Sequence, residues 1–390
     1  MTTVQSDRSA TVMGRAVSAR ALTLASDLPL EPTLVGIGEI DLTTPETLVV
    51  PEHVQAAAAA ALDRGETHYT TRPGIIPLRE AIAQRLTADG FPASAESVLV
   101  TNGGAEALYI ALQMLLAQSQ RMVVVGPVPA NVVAMIRFIG AEPVLLPTGV
   151  ESGFYPSVDV VTAAEGSSLL ISSPSPVTGL ALLPSELEAM IAKGIERSMT
   201  VVLDRSLATA LYDPALACFG NPELGANLVT IGSFSAGYGL AGWRVGWLSA
   251  PPETMKLFRE LKQAMSICTT AVSQFAALAV LDGPTDWANA RRAEFSHRRD
   301  QAMARFRPTP LVPVEPAAYP PLIIDVRAVD ADDRRFAARL REETGVIVEA
   351  GSAFGPTTAG FVRLDLSVPA ATLTLGVEQM ASFAERGRAT

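Results

Sequence analysis

Apolar positions along this chain follow two alternating rhythms. In Glu52–Arg64 and Pro77–Asp89 they recur every three to four residues, the spacing that gathers one face of a helix. Between such stretches lie short aliphatic runs: Ser97–Thr101, Met122–Val125, Pro143–Leu146, Leu169–Ser172, Thr200–Leu203 and Leu228–Ile231. Runs this short and β-rich predict strands, and their alternation with helices predicts a mostly parallel sheet flanked by helices. From about Thr285 the pattern changes to a long charged helix (Trp287–Phe306), a strand (Leu322–Val326), a helix (Asp332–Thr344) and a strand at Phe361–Ser367. The expected fold class is therefore α/β, a large domain over 36–284 and a smaller α+β C-terminal domain over 285–390. A flexible N-terminal arm, 1–35, precedes them. In sheets of this kind ligands bind beyond the carboxyl ends of the strands, so the polar residues that follow each strand carry the chemistry.

With 390 residues, 48% of them hydrophobic, the chain can bury a core large enough for two domains. Thirty basic against 40 acidic residues give a net charge of −10 without any block of like charge. That balance argues against nucleic acid or an anionic membrane as partner and for a small molecule. The opening residues lack the apolar core of a signal peptide. The apolar stretch from Ala105 is broken by Gln113 and too short to span a bilayer, so a cytoplasmic location is expected. Two cysteines, Cys218 and Cys268, fit a reduced compartment, and no metal is expected.

Four motifs fall where this sheet would place a site. VLVTNGGAEALYIAL (Val98–Leu112) is a strand ending in glycines that open a helix, and the backbone N–H groups of Gly104 and Ala105 at such a terminus bind an anion. VVLDRSLATALYD ends a strand on Asp204. SFSAGYGLAGWRVGW (Ser233–Trp247) sets Ser233, Ala236 and Arg244 around one loop. GFVRLDLS near the C-terminus carries Arg363.

In this order, and together with HYTTRPGIIPLREAIAQRL at His68–Leu86, the motifs resemble those of class I/II aminotransferases, the fold type I family of pyridoxal-phosphate (PLP) enzymes. The resemblance runs from about Gly36 to the end of the chain. It implies that Gly104, Ala105, Ser233 and Arg244 bind the cofactor phosphate, with Tyr69 reaching the phosphate of the partner subunit in a homodimer. It implies that Asp204 pairs with the pyridine nitrogen, that Arg363 grips a substrate carboxylate, and that Gly38 lies on the substrate side. The departures are equally specific. Ala236 stands where the family has the lysine that bonds to the cofactor aldehyde, Pro129 where an aromatic stacks on the ring, Pro176 where an asparagine reaches the ring hydroxyl, and Leu207 where a tyrosine does.

Four altered ring positions point to a natural loss of PLP chemistry rather than to a single lysine removed by design. The expected state is cofactor-free, the pocket binding a small anionic, amino-acid-derived metabolite. The expected function is a PLP-independent biosynthetic enzyme working by acid–base or acyl-transfer-like catalysis. Asp204 would be its general acid or base and Arg205 or Arg244 would stabilise negative charge. His68 is either a pocket residue or a dimer contact, Tyr238 a packing residue or a proton relay. Ser175 and Asn131 are polar loop residues without an assigned role, and Ser175, Pro129, Pro176, Leu207 and Tyr238 would line the substrate side of the pocket. Two alternatives stand beside this reading: a PLP-dependent aminotransferase, engineered or atypical, with Ala236 in place of the lysine, and a non-catalytic pseudoenzyme or ligand sensor.

Overall fold

The computed structural model describes residues 35–387 apart from 37, 47 and 117–119; residues 1–34 of the expected arm lie outside the described residues. A two-residue strand, β1 (Ile40–Asp41), comes first. The large sheet is then built from β2 (Val98–Thr101), β3 (Arg121–Val125), β4 (Glu142–Leu145), β5 (Ser168–Ser172), β6 (Thr200–Asp204), β7 (Val229–Ser233) and β8 (Gly246–Ser249). Their order across the sheet is β2-β8-β7-β6-β5-β3-β4. All neighbours from β4 through to β7 are parallel; β8 alone runs antiparallel to both its neighbours. The six expected strands match β2 to β7 within one residue at each end, except at the C-terminal end of β7, which runs two residues further.

The uniform apolarity of these strands has a direct cause, since helices cover both faces. Val123, Val125, Leu169, Ile171 and Leu203 belong to one core, together with Val54, Leu78 and Ala276 of three helices. Their neighbours Val124, Leu170, Val202 and Ile231 point the other way, into a core with Ile110 and Phe258. Each fully buried aliphatic side chain of this kind stabilises the fold by about 1.5–3 kcal/mol.

The C-terminal part continues with β9 (Val312–Val314), β10 (Pro321–Asp325), β11 (Val346–Ile347), β12 (Glu349–Ala350) and β13 (Phe361–Asp365). The strands β12-β13-β10-β9 form an antiparallel sheet, while β11 pairs parallel with β1. The helix Asp286–Phe306 packs Phe295, Ala302 and Phe306 into the core of this sheet, and Leu207 and Leu211 join it from the segment after β6. The loops after β6 and β7 therefore sit between the two sheets.

Candidate active site

The carboxyl ends of β2, β6 and β7 converge on one turn. Gly103 caps the helix Gly104–Leu115 with φ +84°, a conformation that favours glycine. A Cβ at Gly103 would lie 2.8 Å from Arg244 Nη2, so only glycine lets that guanidinium rest on the turn. A Cβ at Gly104 would lie 3.1 Å from Ser206 Oγ and 3.3 Å from Ser233 Cβ. Ala107 N–H makes the helix's first backward bond, 3.3 Å to Gly103 O, which leaves the N–H groups of Gly104 and Ala105 ahead of it aimed outward. Arg244 itself takes φ +53° and is held by Nη1 donating to Ala241 O at 3.3 Å. Backbone donors, two hydroxyls and one guanidinium thus form a cup for an anion. Ser206 was not among the expected residues; its place two positions past a strand-ending carboxylate is the only sequence signal for it.

Asp204 forms the floor. Its Oδ1 accepts from Ser206 N–H at 2.9 Å, and burial pushes its carboxyl above the usual range, against the pull of the Ser206 hydroxyl and amide. Tyr155, nearby and buried, has its hydroxyl 2.9 Å from the carbonyls of both Ser172 and Leu180. Burial first, and the Asp204 charge last, push that phenol up.

Ala236 follows Ser233 in a turn whose carbonyl accepts from Gly239 N–H at 3.1 Å. It borders a cavity of about 510 Å³ shared with Trp243, Tyr319, Asp365 and Ser367. None of the chain's three lysines takes its place, since Lys193 and Lys256 are solvent-facing and Lys262 is buried against Glu106 at 2.9 Å. Lys262 and Ser266 hold Glu106, and Glu106 Oε2 accepts from Asn102 N–H at 2.6 Å, bracing the anion-binding turn from behind. Arg363 on β13 donates to Glu349 of β12, and its Nη2 lies 3.9 Å from Asp365.

Several expected site residues are placed elsewhere. Arg205 leaves β6 on the side opposite Asp204 and spends its charge on Asp89 and the Ala217 carbonyl, both at 2.9 Å, over the ring of Phe91. The catalytic role expected for it is corrected to that of a buried structural ion pair. Tyr238 stacks on Phe234 at 5.0 Å in the same buried region, so it is packing rather than a relay. Ser175 is 1% exposed, donates to Pro127 O and accepts from Val177 and Thr178, which ties two loops together and leaves nothing for a substrate. Leu207 is 7% exposed in the core beneath the small sheet. Pro129 caps the helix Ala130–Phe138, and Pro129 and Pro176 are half-buried. Gly38 sits in a turn at φ +88° just ahead of β1. His68 and Tyr69 pack edge to face on the surface, with Tyr69 68% exposed.

The family model for aminotransferase class I and II matches residues 32–380. The aspartate/prephenate aminotransferase of Thermus thermophilus is 30% identical over 376 residues, 94% of each chain. The aromatic-amino-acid aminotransferase 2 of Thermococcus litoralis is 26% identical over 355 residues, 89% of this chain and 90% of that one. Among solved structures, the aromatic aminotransferase of Pyrococcus horikoshii superposes with a TM-score of 0.85 at 25% identity, covering 94% of this chain and 100% of that one. The chain belongs to the class I and II aminotransferase family.

These relatives overturn two expectations. A PLP-independent enzyme with no cofactor was expected; relatives matched along almost their whole length are aminotransferases, a PLP-dependent family, so a PLP-dependent aminotransferase is favoured and PLP is the cofactor to expect. The residues fit PLP at its charged points: the cup suits a phosphate, and Asp204 suits a protonated pyridine nitrogen. They do not fit a covalent bond at residue 236, which has no amine.

Proposed function

We propose that the chain is an atypical PLP-binding aminotransferase, which moves an amino group between a small amino acid and a 2-oxo acid while Ala236 occupies the lysine position. The observation that carries this reading is the convergence of Gly104, Ser206, Ser233 and Arg244 beside Asp204. PLP, when bound, supplies an electron sink for the substrate's reacting carbon. The chain's own residues hold and orient. The cup and Arg244 would take the phosphate dianion, and an ionised Asp204 would keep the ring nitrogen protonated. Arg363 would grip the substrate carboxylate, and the names of the aspartate/prephenate and aromatic relatives support a carboxylate-bearing substrate. Ala236 offers neither an anchor nor a base, so a proton leaving the substrate on that side passes to water. A slow reaction follows. Exposed Tyr69 supports a homodimer in which it serves the neighbouring cup. Among the described residues no helix is long and apolar enough to cross a membrane, which fits action on dissolved metabolites in the cytoplasm.

The test pairs a PLP titration, followed by absorbance and equilibrium dialysis, with an amino-transfer assay from aspartate and phenylalanine to 2-oxoglutarate. The protein should bind PLP reversibly, and Ala236→Lys should raise the transfer rate by about 10²–10⁴-fold, the usual worth of a positioned acid–base group. Failure of both proteins to bind PLP and to transfer would refute the reading.

A further inference from the structure

We propose that Glu349 is a specificity-determining residue of the substrate end, an internal carboxylate that occupies Arg363 and that a substrate carboxylate must displace. The inference rests on the reading that Arg363 is the carboxylate anchor. The register of β12 and β13 pairs Glu349 directly with Arg363, which fixes both side chains on one face of the sheet. Arg363 Nη1 donates to Glu349 Oε2. The guanidinium lies over the Phe354 ring at 5.6 Å and has Asp365 3.9 Å away on its other side. Its Nε is buried and has no hydrogen-bond partner among the described residues.

The two acids are not equivalent. Asp365 is 6% exposed at its side chain and its Oδ1 is committed to Ser367 N–H at 2.8 Å and to the Ser367 hydroxyl. Glu349 is 36% exposed at its side chain and, among the described residues, no other bond restrains it, so it is the group able to swing away. With Glu349 in place the trio carries a net charge of −1, and an incoming carboxylate meets repulsion and an arginine already satisfied. With Glu349 displaced, a two-oxygen ligand faces a neutral Arg363–Asp365 pair and a donor, Nε, that lacks an acceptor. Ligand carboxylates are thereby filtered: only those that gain further contacts elsewhere in the site outcompete the internal one.

The experiment measures maleate and 3-phenylpropionate binding by calorimetry on the PLP-loaded wild type and on Glu349→Gln, Glu349→Ala and Arg363→Gln, with inorganic phosphate binding to the apo proteins as the control for folding and for the cup. Glu349→Gln and Glu349→Ala should each bind maleate about tenfold or more tightly, the order expected for releasing a charge-assisted bond, with phosphate affinity unchanged. Arg363→Gln should bind neither carboxylate. If Arg363→Gln abolishes binding while both Glu349 variants match the wild type, the role of Glu349 is overturned and the anchor reading stands. If Arg363→Gln binds maleate as the wild type does, the anchor reading falls and the role of Glu349 with it.

Discussion

Replacing Asp204 by asparagine should stabilise the fold and weaken the cofactor site at once. The carboxyl is densely enclosed by protein, and among the described residues only Ser206 compensates its charge, through an amide at 2.9 Å and a hydroxyl. Burial raises its pKa above the ordinary value of 3.8, so the folded chain holds that proton more tightly than the unfolded chain does. The sign follows: the group favours the fold fully below the unfolded pKa, and this contribution is lost as pH rises through the folded pKa. Above the folded pKa the wild type bears the cost of an ionised, under-partnered carboxylate. Such a group costs about 1–3 kcal/mol, and the two Ser206 donors place Asp204 at the lower end. Asparagine keeps the shape without the charge, so Asp204→Asn should gain about 1 kcal/mol at pH 8, or roughly 1–2 °C in Tm for a chain this long. The gain should shrink at pH 5. PLP affinity should fall tenfold or more in the same variant, because a neutral amide cannot hold a protonated ring nitrogen. Differential scanning fluorimetry at both pH values and a PLP titration supply the readings. An asparagine variant less stable than the wild type at pH 8, or one gaining equally at both pH values, would sink the reasoning.

Three other outcomes are expected. Inorganic phosphate should raise the Tm of the wild type, and Arg244→Ala should remove most of that rise, while Ser206→Ala should weaken phosphate by only about 0.5–1.5 kcal/mol; an unchanged shift in Arg244→Ala would remove the guanidinium from the cup. Lys262→Met should cost about 3–5 kcal/mol in chemical denaturation by stranding Glu106 beneath the turn, and adding Glu106→Gln should recover much of it; no recovery would mean that Lys262 acts through packing alone. Multi-angle light scattering should report a dimer at micromolar concentration, and a monomer would leave Tyr69 without a cup to serve.

What the sequence made legible follows from the physics of each element. Strands β2 to β7 are buried on both faces, so each reads as an unbroken apolar run between helices. β8 was missed because the first two of its four residues, GWLS, belong to a loop motif and its tryptophan is half-exposed. β9, β11 and β12 span two or three residues, too few for any period. In the site, the anion cup was readable because backbone donors need glycine, and glycine is visible. Arg205 misled because adjacent residues at a strand end point to opposite sides, which composition does not reveal. The pairing of Glu349 with Arg363 depends on the register of two antiparallel strands 14 residues apart, which no local pattern encodes.

The cofactor was misjudged for an energetic reason. Counting altered positions treats every ring position as equal, and three of the four, Pro129, Pro176 and Leu207, stand in for neutral interactions worth about 0.5–1.5 kcal/mol each. The interactions that remain are the charged ones: Arg244 and a helix terminus for the phosphate, Asp204 for the ring nitrogen. Charge-assisted bonds run to about 1.5–3 kcal/mol each, about twice a neutral contact, even with Arg244 itself exposed. The charged half of the site therefore outweighs the weakened grip on the neutral ring. The covalent bond at 236 is a separate matter, because it governs how fast the cofactor is used and released more than whether a dianion and a pyridinium find partners. Affinity for PLP and speed of amino transfer thus come apart in this chain, and Ala236→Lys is the variant in which they should rejoin.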